Sequence, residues 1–482
     1  MALGEVDYGL MGVVGGLVAF VSFINGIMAS GVGRFYALSV GESLNNPKQG
    51  LSQSRKWFTT AVVIHTVLPI VLVAIGYPIG EWVVCNFLNI PLDRVEACIW
   101  VWRFTCLSCF VAMVSVPYQA MYTAHQEIAE LTIYSFVTTT LNVLFLYYAI
   151  NHPRQWLIPY AVWCSFLSVI PSVIISVRAF PKYKECRFRK EYIPGCVSRI
   201  WNMLGYCGWI SLGAIALLLK GQGATILVNK FFGPRTNASM AIGNTLSAQC
   251  TQLATSLGGA FWPAVTTAYG KGDIQLFRAL SFRVSKLATC VALIFAIPLS
   301  LEVEEVLLIW LKNPPFQADG LCVIAVATFI ADKMTAGHCM AINAIGKVAA
   351  YQMVISFVLL LTVPVAWFFL RCGYNVYSVG GVVLSTTACA TLVRLFFARV
   401  IARMSIRKWI IEFVLPVAAV GGLSGMVAWS VRLVWEPSLT RIFTTTGVFL
   451  GLYSIGMFLW ILDDEEKAYV TRHVAKLIKI RS

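Results

Sequence analysis

Runs of about 20 apolar residues alternate with short polar segments along nearly the whole chain, the length needed to cross a ~30 Å hydrocarbon core. The pattern predicts thirteen helical spans near 8–33, 57–79, 98–121, 130–150, 156–177, 203–231, 237–266, 287–311, 320–345, 350–370, 376–400, 410–431 and 443–462. Tryptophans gather at many of their ends, among them Trp57, Trp82, Trp156, Trp310, Trp409 and Trp460, as interface belts require. One stretch organises the rest. Lys220 opens a glycine-interrupted run that ends in a Gly233-Pro234 turn, and an apolar run from Met240 to Thr266 leads from there into Tyr269-Gly270-Lys271-Gly272-Asp273.

That stretch has a counterpart at the start of the chain. Sliding Met1–Glu42 by 229 positions lays Gly4 on Gly233, Met11 on Met240, Leu17 on Leu246, Ala19 on Ala248 and Gly41 on Gly270. A short glycine turn, a long span and a small-polar loop recur in the same order, the sign of an internal repeat. In the second copy a span precedes the Gly233 turn, whereas none precedes Gly4. The repeat therefore predicts a further span of roughly 25–30 residues ahead of Met1, for fourteen in all.

Composition adds the broad class. Hydrophobic residues make up 58% and charged residues 12%, with a mean hydropathy of +0.76. Soluble domains carry about 25% charged residues, so this is an all-α polytopic membrane protein. Charge then sets the expected orientation. Alternate loops and the C-terminal tail hold 26 of the 37 Lys and Arg, seven of them in 178–199, while the opposite loops are short and acidic, as in Glu81–Glu96. The positive-inside rule puts 178–199 and the C-terminus in the cytoplasm. The net charge of +15 reads as topology and attraction to anionic membrane lipid, with no call for nucleic acid. The tail opens acidic at Asp463-Asp464-Glu465-Glu466, and Val470, Val474, Leu477 and Ile478 form an apolar stripe suited to the inner membrane face. Cys106 and Cys109 form a CxxC inside a span, where they read as small packing residues.

Several segments, taken in order, carry a family resemblance. They are Leu3-Gly4-Glu5-Val6-Asp7-Tyr8-Gly9 with Val14-Gly15-Gly16; Arg34-Phe35; Leu88-Asn89-Ile90-Pro91; and Ser115-Val116-Pro117-Tyr118-Gln119-Ala120. Gly221-Gln222-Gly223 with Val228 to Pro234, Asn237-Ala238, Ile309-Trp310-Leu311, and Ala344-Ile345-Gly346-Lys347 through Tyr351-Gln352 follow. The chain resembles the Wzx-type oligosaccharide flippases of the MATE-related MOP superfamily over nearly its whole length; the departure is at the start, where the family's first helix is absent. The resemblance implies a two-lobe bundle, with an N-terminal lobe over 1–195, a C-terminal lobe over 196–402, and two extra spans with an amphipathic cytoplasmic tail over 403–482. It implies residence in the bacterial cytoplasmic membrane. It also implies transfer of an oligosaccharide on a polyprenyl pyrophosphate from the inner to the outer leaflet, for lipopolysaccharide or other surface polysaccharide, in company with other polysaccharide assembly proteins.

Such a cargo needs a cationic seat for the pyrophosphate and a polar path for the sugar. Charges inside spans cost about 2.5–3.5 kcal/mol on insertion scales, so they are the place to look. Lys220, Lys333, Arg34 and Arg394 are the candidates for the headgroup, and Asp332 and His338 for coupling to Na+ or H+. Asn25, Asn229, Asn244, Gln249 and Gln252 are the candidates for the sugar path. Each has a plainer reading: Arg34 and Arg394 as snorkelling anchors, Lys220, Asp332 and Lys333 as interhelical ion pairs, the amides as helix–helix hydrogen bonds. Asp332 and Lys333, being adjacent, are expected to point about 100° apart, so that only one pairs across helices. Glu302, Glu304 and Glu305 read as solvated charge at the outer interface, and Arg103 as an interface residue.

The alternatives are a MATE-type cation-coupled exporter of drugs or metabolites, which would share the fold, and a membrane glycan polymerase or ligase. An enzyme would show a sizeable outer loop with convergent acids, bases or metal ligands. These loops are short, and the five histidines (His65, His125, His152, His338, His473) have no ligand spacing. The expectation is a transporter, not an enzyme, with no metal and no cofactor beyond a coupling ion.

Overall fold

The computed structural model describes residues 5–87, 90, 94–152, 156–468 and 471–472, with the side chains of these apart from 5–22, 234 and 253–260. All regular structure in the described residues is helical. Ten helices are long and apolar enough to cross a membrane, and an eleventh is added when Ala318–Lys333 and Ala336–Ile345, bent by 43°, count as one broken span. These eleven match eleven of the thirteen expected spans. The other two, 8–33 and 237–266, lie in long helices whose side chains are partly outside the described residues. The span expected at 287–311 differs at both ends: it is a helix over Ile274–Leu301, followed by a short one over Val303–Leu311. The amphipathic stripe of the tail lies outside the described residues.

The chain divides into two compact units. The first holds 1–211 and 263–274, the second 212–262 and 275–482. In the first, α1 (Glu5–Asn45), α2 (Pro47–Trp82), α3 (Val95–Ala124), α4 (Ile128–Asn151) and α5 (Leu157–Lys182) are joined by both ends of the long helix α6 (Cys196–Gly270). Trp102 of α3 anchors its core. The indole lies where Gly80 of α2 has no side chain, its Nε1 donates to the Tyr77 carbonyl at 3.1 Å, and Val84, Cys98, Val101 and Leu157 close around it. Arg103 stays at the surface, donating to Tyr77 Oη and pairing with Glu81 at 3.3 Å, as an interface residue should.

The repeat is written into a contact of this unit. A Cβ on Gly41 would be driven into the Thr267 carbonyl oxygen, and a Cβ on Gly270 into the Leu38 carbonyl oxygen. Gly41 and Gly270 are 229 positions apart, and so are Leu38 and Thr267. Each contact is the other with the two copies exchanged, the signature of an isologous two-fold crossing. Glycine is needed at both places because the backbones touch.

In the second unit α6 breaks at Gly233, whose φ of 81° lies in the left-handed region that glycine enters without steric penalty. The unit continues through α7 (Ile274–Leu301), α8 (Val303–Leu311), α9 (Ala318–Lys333), α10 (Ala336–Ile345), α11 (Ala349–Leu360), α12 (Thr362–Arg371) and α13 (Val376–Ala402). After α14 (Ile406–Trp409) come α15 (Leu415–Val434) and α16 (Leu439–Gly456), which are no appendage. Phe413, Val417, Val420, Phe449 and Tyr453 share one core with Leu293 of α7 and Leu395 of α13.

A buried ion pair locks α16 to α7. Glu302 is 1% exposed and Arg441 5%. Arg441 donates to Glu302 Oε2 from Nη2 at 2.8 Å and from Nε at 3.2 Å, and Thr445 donates to Oε1 at 2.9 Å. The reading of Glu302 as solvated interface charge is therefore wrong. The helix supplying its partner lies 139 positions away, beyond the reach of local pattern.

The cysteines give a direct topology test. Cys85 and Cys372 are exposed, whereas Cys98, Cys186 and Cys196 are buried; burial pushes the Cys186 thiol up to about 12. An impermeant maleimide on intact cells is expected to label Cys85 and Cys372, and Ser at both positions to abolish that signal. Labelling that appears only after permeabilisation would invert the positive-inside orientation.

Candidate functional site

The second unit assembles four charged side chains inside its spans. Lys220 comes from α6, Asp332 and Lys333 from the last turn of α9, and Arg394 from α13. α13 explains how a membrane helix carries them. Thr387, Thr391 and Arg394 recur at i, i+4 and i+7 and so share one face. Leu392, Phe396 and Val400 occupy another and are exposed. Polar residues inward and apolar residues outward is the arrangement a bilayer requires, with lipid rather than water as the outer solvent.

The ion pairs converge on Asp332. Arg394 Nη1 lies 2.7 Å from Asp332 Oδ1 and donates also to the Asp332 carbonyl at 3.2 Å, while Lys333 Nζ lies 3.1 Å from Oδ2. Adjacent residues were expected to diverge. Here the helix ends at Lys333 and bends before α10, and the long lysine stem reaches its neighbour's carboxylate. Arg394 is not a snorkelling anchor; its side chain is 15% exposed. Thr391 ties the bend down by donating to the Ala331 carbonyl at 2.9 Å.

Lys220 sits two turns along α13 from Arg394, its ammonium donating to Thr387 Oγ1 at 2.5 Å. Among the described residues no carboxylate pairs with it, although Lys220 is 6% exposed. Among the described residues three cations thus accompany one carboxylate, an excess of two positive charges. The Asp332 side chain is 37% exposed, so its two ion pairs line open space rather than a sealed core.

The remaining candidates are dispersed. Arg34 belongs to the first unit, is buried, and lies 4.7 Å from the Tyr206 ring centre and 5.0 Å from that of Phe35. Buried among these rings, it makes cation–π contacts and does not snorkel. His338 of α10 is 2% exposed, with Nδ1 3.0 Å from Ser285 Oγ, which also accepts the Gly337 N–H. Asn244 lines a small cavity of about 80 Å³ with Ser247 and Thr328. Asn229, Gln249 and Gln252 are exposed on α6. Asn25 is half-buried, and its Oδ1 has no hydrogen-bond partner among the described residues. Sequence reasoning overlooked Thr387 and Thr391. The signal was present, in the i, i+4, i+7 run that ends at Arg394.

No family model matches the chain, and no curated protein matches it in sequence. Its fold does match solved structures. An outward-facing multidrug resistance MATE family transporter of the MOP superfamily superposes with a TM-score of 0.68 at 14% identity, over 83% of this chain and 89% of that one. A MATE crystal structure in the straight conformation gives 0.64 at 12% identity over 83% and 89%. A MOP superfamily transporter from Pyrococcus furiosus, described as having a binding pocket of reverse polarity that suggests a different function, gives 0.64 at 12% over 83% and 91%. The chain has the fold of these MATE transporters, as the resemblance implied.

Proposed function

We propose that this protein is a membrane transporter that turns a polyprenyl-pyrophosphate-linked oligosaccharide from the cytoplasmic to the outer leaflet, with Lys220 and Lys333 drawing the headgroup into the second unit. The observation that carries this reading is the charge excess around Asp332. A cationic drug would need a carboxylate free to meet it, and Asp332 is already held by Arg394 and Lys333. Among the described residues, an anionic headgroup finds the Lys220 ammonium opposed by a hydroxyl and by no carboxylate. Charge-assisted contacts to phosphate oxygens are the strong ones in a water-poor site. Keeping an ammonium in a span without a counter-ion costs stability, which is reasonable where a ligand supplies the missing charge. The Pyrococcus furiosus transporter similar in fold, described as having a binding pocket of reverse polarity that suggests a different function, supports the idea that pocket polarity varies within this architecture.

The test is surface glycan in cells that depend on this chain. Lys220→Gln and Lys333→Gln are expected to reduce delivery tenfold or more, about the effect of losing one charge-assisted contact, while membrane protein levels stay at wild type. Normal delivery by both variants, or loss of both from the membrane, overturns the headgroup assignment. Asp332→Asn separates the second reading, ion coupling. Delivery that no longer responds to collapse of the Na+ or H+ gradient, at normal protein level, favours coupling through Asp332. Loss of the protein favours a structural role.

A further inference from the structure

A second cationic site lies in the same unit, away from the Asp332 cluster. The start of α7, the end of α13, the turn into α14 and the segment after α16 enclose a pocket of about 570 Å³, within the 300–1,000 Å³ range of small-molecule sites. Five basic side chains line it, Arg278, Arg283, Lys286, Arg403 and Lys408, against two acids, Glu412 and Asp463.

These five are not equivalent. Arg283 is paired with Asp463, Glu465 and Glu466, and Lys286 with Glu466 and Asp463. The acidic start of the tail thus neutralises one wall. Lys408 pairs with Glu412 at 3.4 Å on the exposed side. Arg278 and Arg403 have no carboxylate within 4.0 Å among the described residues. Arg278 is aimed by its own hydrogen bond, Nε donating to the Ala402 carbonyl at 2.9 Å, which leaves its two outer nitrogens for a ligand. Arg403 follows directly, its backbone turned left-handed at φ 53°. The end of α13 therefore brings two unopposed guanidiniums to one place, beside the hydroxyl of Ser405.

We propose that this pocket seats the phosphate of an anionic membrane lipid headgroup. Planar guanidiniums match phosphate oxygens in bidentate geometry. The rest of the wall is mostly apolar, with Ala279, Phe282, Met404, Ile461 and Leu462 beside Gln275. Next to the lining residues in sequence, Ile410, Ile411, Leu459 and Trp460 are exposed, on the spans α15 and α16 complete. A free phosphate has no use for such a border; a headgroup whose acyl chains lie along exposed span residues does. The site is independent of the proposed cargo, since it shares no residue with the Lys220–Asp332–Lys333–Arg394 group.

The experiment uses the full chain in phosphatidylcholine nanodiscs, with phosphatidylglycerol titrated in and bound lipid counted by native mass spectrometry. Saturable retention of phosphatidylglycerol but not of added phosphatidylcholine is expected. Arg403→Gln and Arg278→Gln should each weaken it about tenfold or more, in line with loss of a charge-assisted contact. Arg407→Gln, equally basic and next to the pocket but outside its lining, should leave it within twofold. Arg403 is exposed, so its variant stays informative if Arg278→Gln, which also loses the Ala402 contact, fails to fold. Equal weakening by Arg407→Gln means diffuse surface attraction and overturns the site. Full competition by millimolar inorganic phosphate means that a soluble anion is the ligand and overturns the lipid assignment.

Discussion

Arg441→Ala is expected to destabilise the protein by about 3–5 kcal/mol, the cost of leaving one member of a buried ion pair without its partner. Glu302 accepts three hydrogen bonds, two from Arg441 and one from Thr445, and both charged residues are almost fully enclosed. With the guanidinium removed, the carboxylate keeps only the Thr445 hydroxyl, and the penalty is its desolvation rather than the lost attraction. Glu302→Gln should cost less than Arg441→Ala, since the amide oxygen still accepts from Thr445. The double substitution Glu302→Leu with Arg441→Met removes both fully buried charges, leaves only the partly exposed Glu305 without its 3.7 Å contact to Arg441, and should recover much of the loss. Thermal unfolding of the purified protein followed by thiol accessibility of the buried cysteines reads all three variants against the wild type. If Arg441→Ala shifts the transition no more than the double variant, the pair is not what holds α16 against α7.

The second large effect lies at the crossing of the repeat. Gly41→Val and Gly270→Val should each destabilise by about 3 kcal/mol or more, at the upper end of overpacking, because the added atoms meet backbone carbonyls that cannot swing aside. The two values should be alike, since Gly41 meets Thr267 as Gly270 meets Leu38. Together they should cost less than their sum, because helices already parted by the first side chain have room for the second. Gly26, with nothing within 4 Å of its Cβ position, is the control, and Gly26→Ala should be close to neutral. A large effect at one glycine and none at the other would show that the crossing is not repeat-related.

Much of the fold is legible in the sequence. Eleven of the thirteen expected spans coincide with helices long enough to cross a membrane, because hydrophobic run length is a one-dimensional property that the bilayer reads directly. The glycine turn at 233 and the pairing of Gly41 with Gly270 in the repeat were visible for a similar reason. A positive φ or a close backbone approach restricts the residue type at a single position, and the sequence records that restriction.

What only the tertiary structure decided is which charges meet. Arg394 and Asp332 are 62 positions apart, and Arg441 and Glu302 are 139 apart. Nothing in local spacing says that one pair lines open space while the other is sealed. The sequence by itself placed Lys220, Asp332, Lys333 and Arg394 in spans and left each as anchor, structural pair or ligand site. The folded chain resolved these roles unequally. Arg394 and Lys333 became the partners of Asp332, Arg34 lies against two aromatic rings, and Lys220 meets a hydroxyl and no carboxylate among the described residues. The physical reason is that the free energy of a charge in a membrane protein depends on its partners and on the polarity around it as well as on its depth in a span. Those partners come from helices that the chain brings together only when it packs.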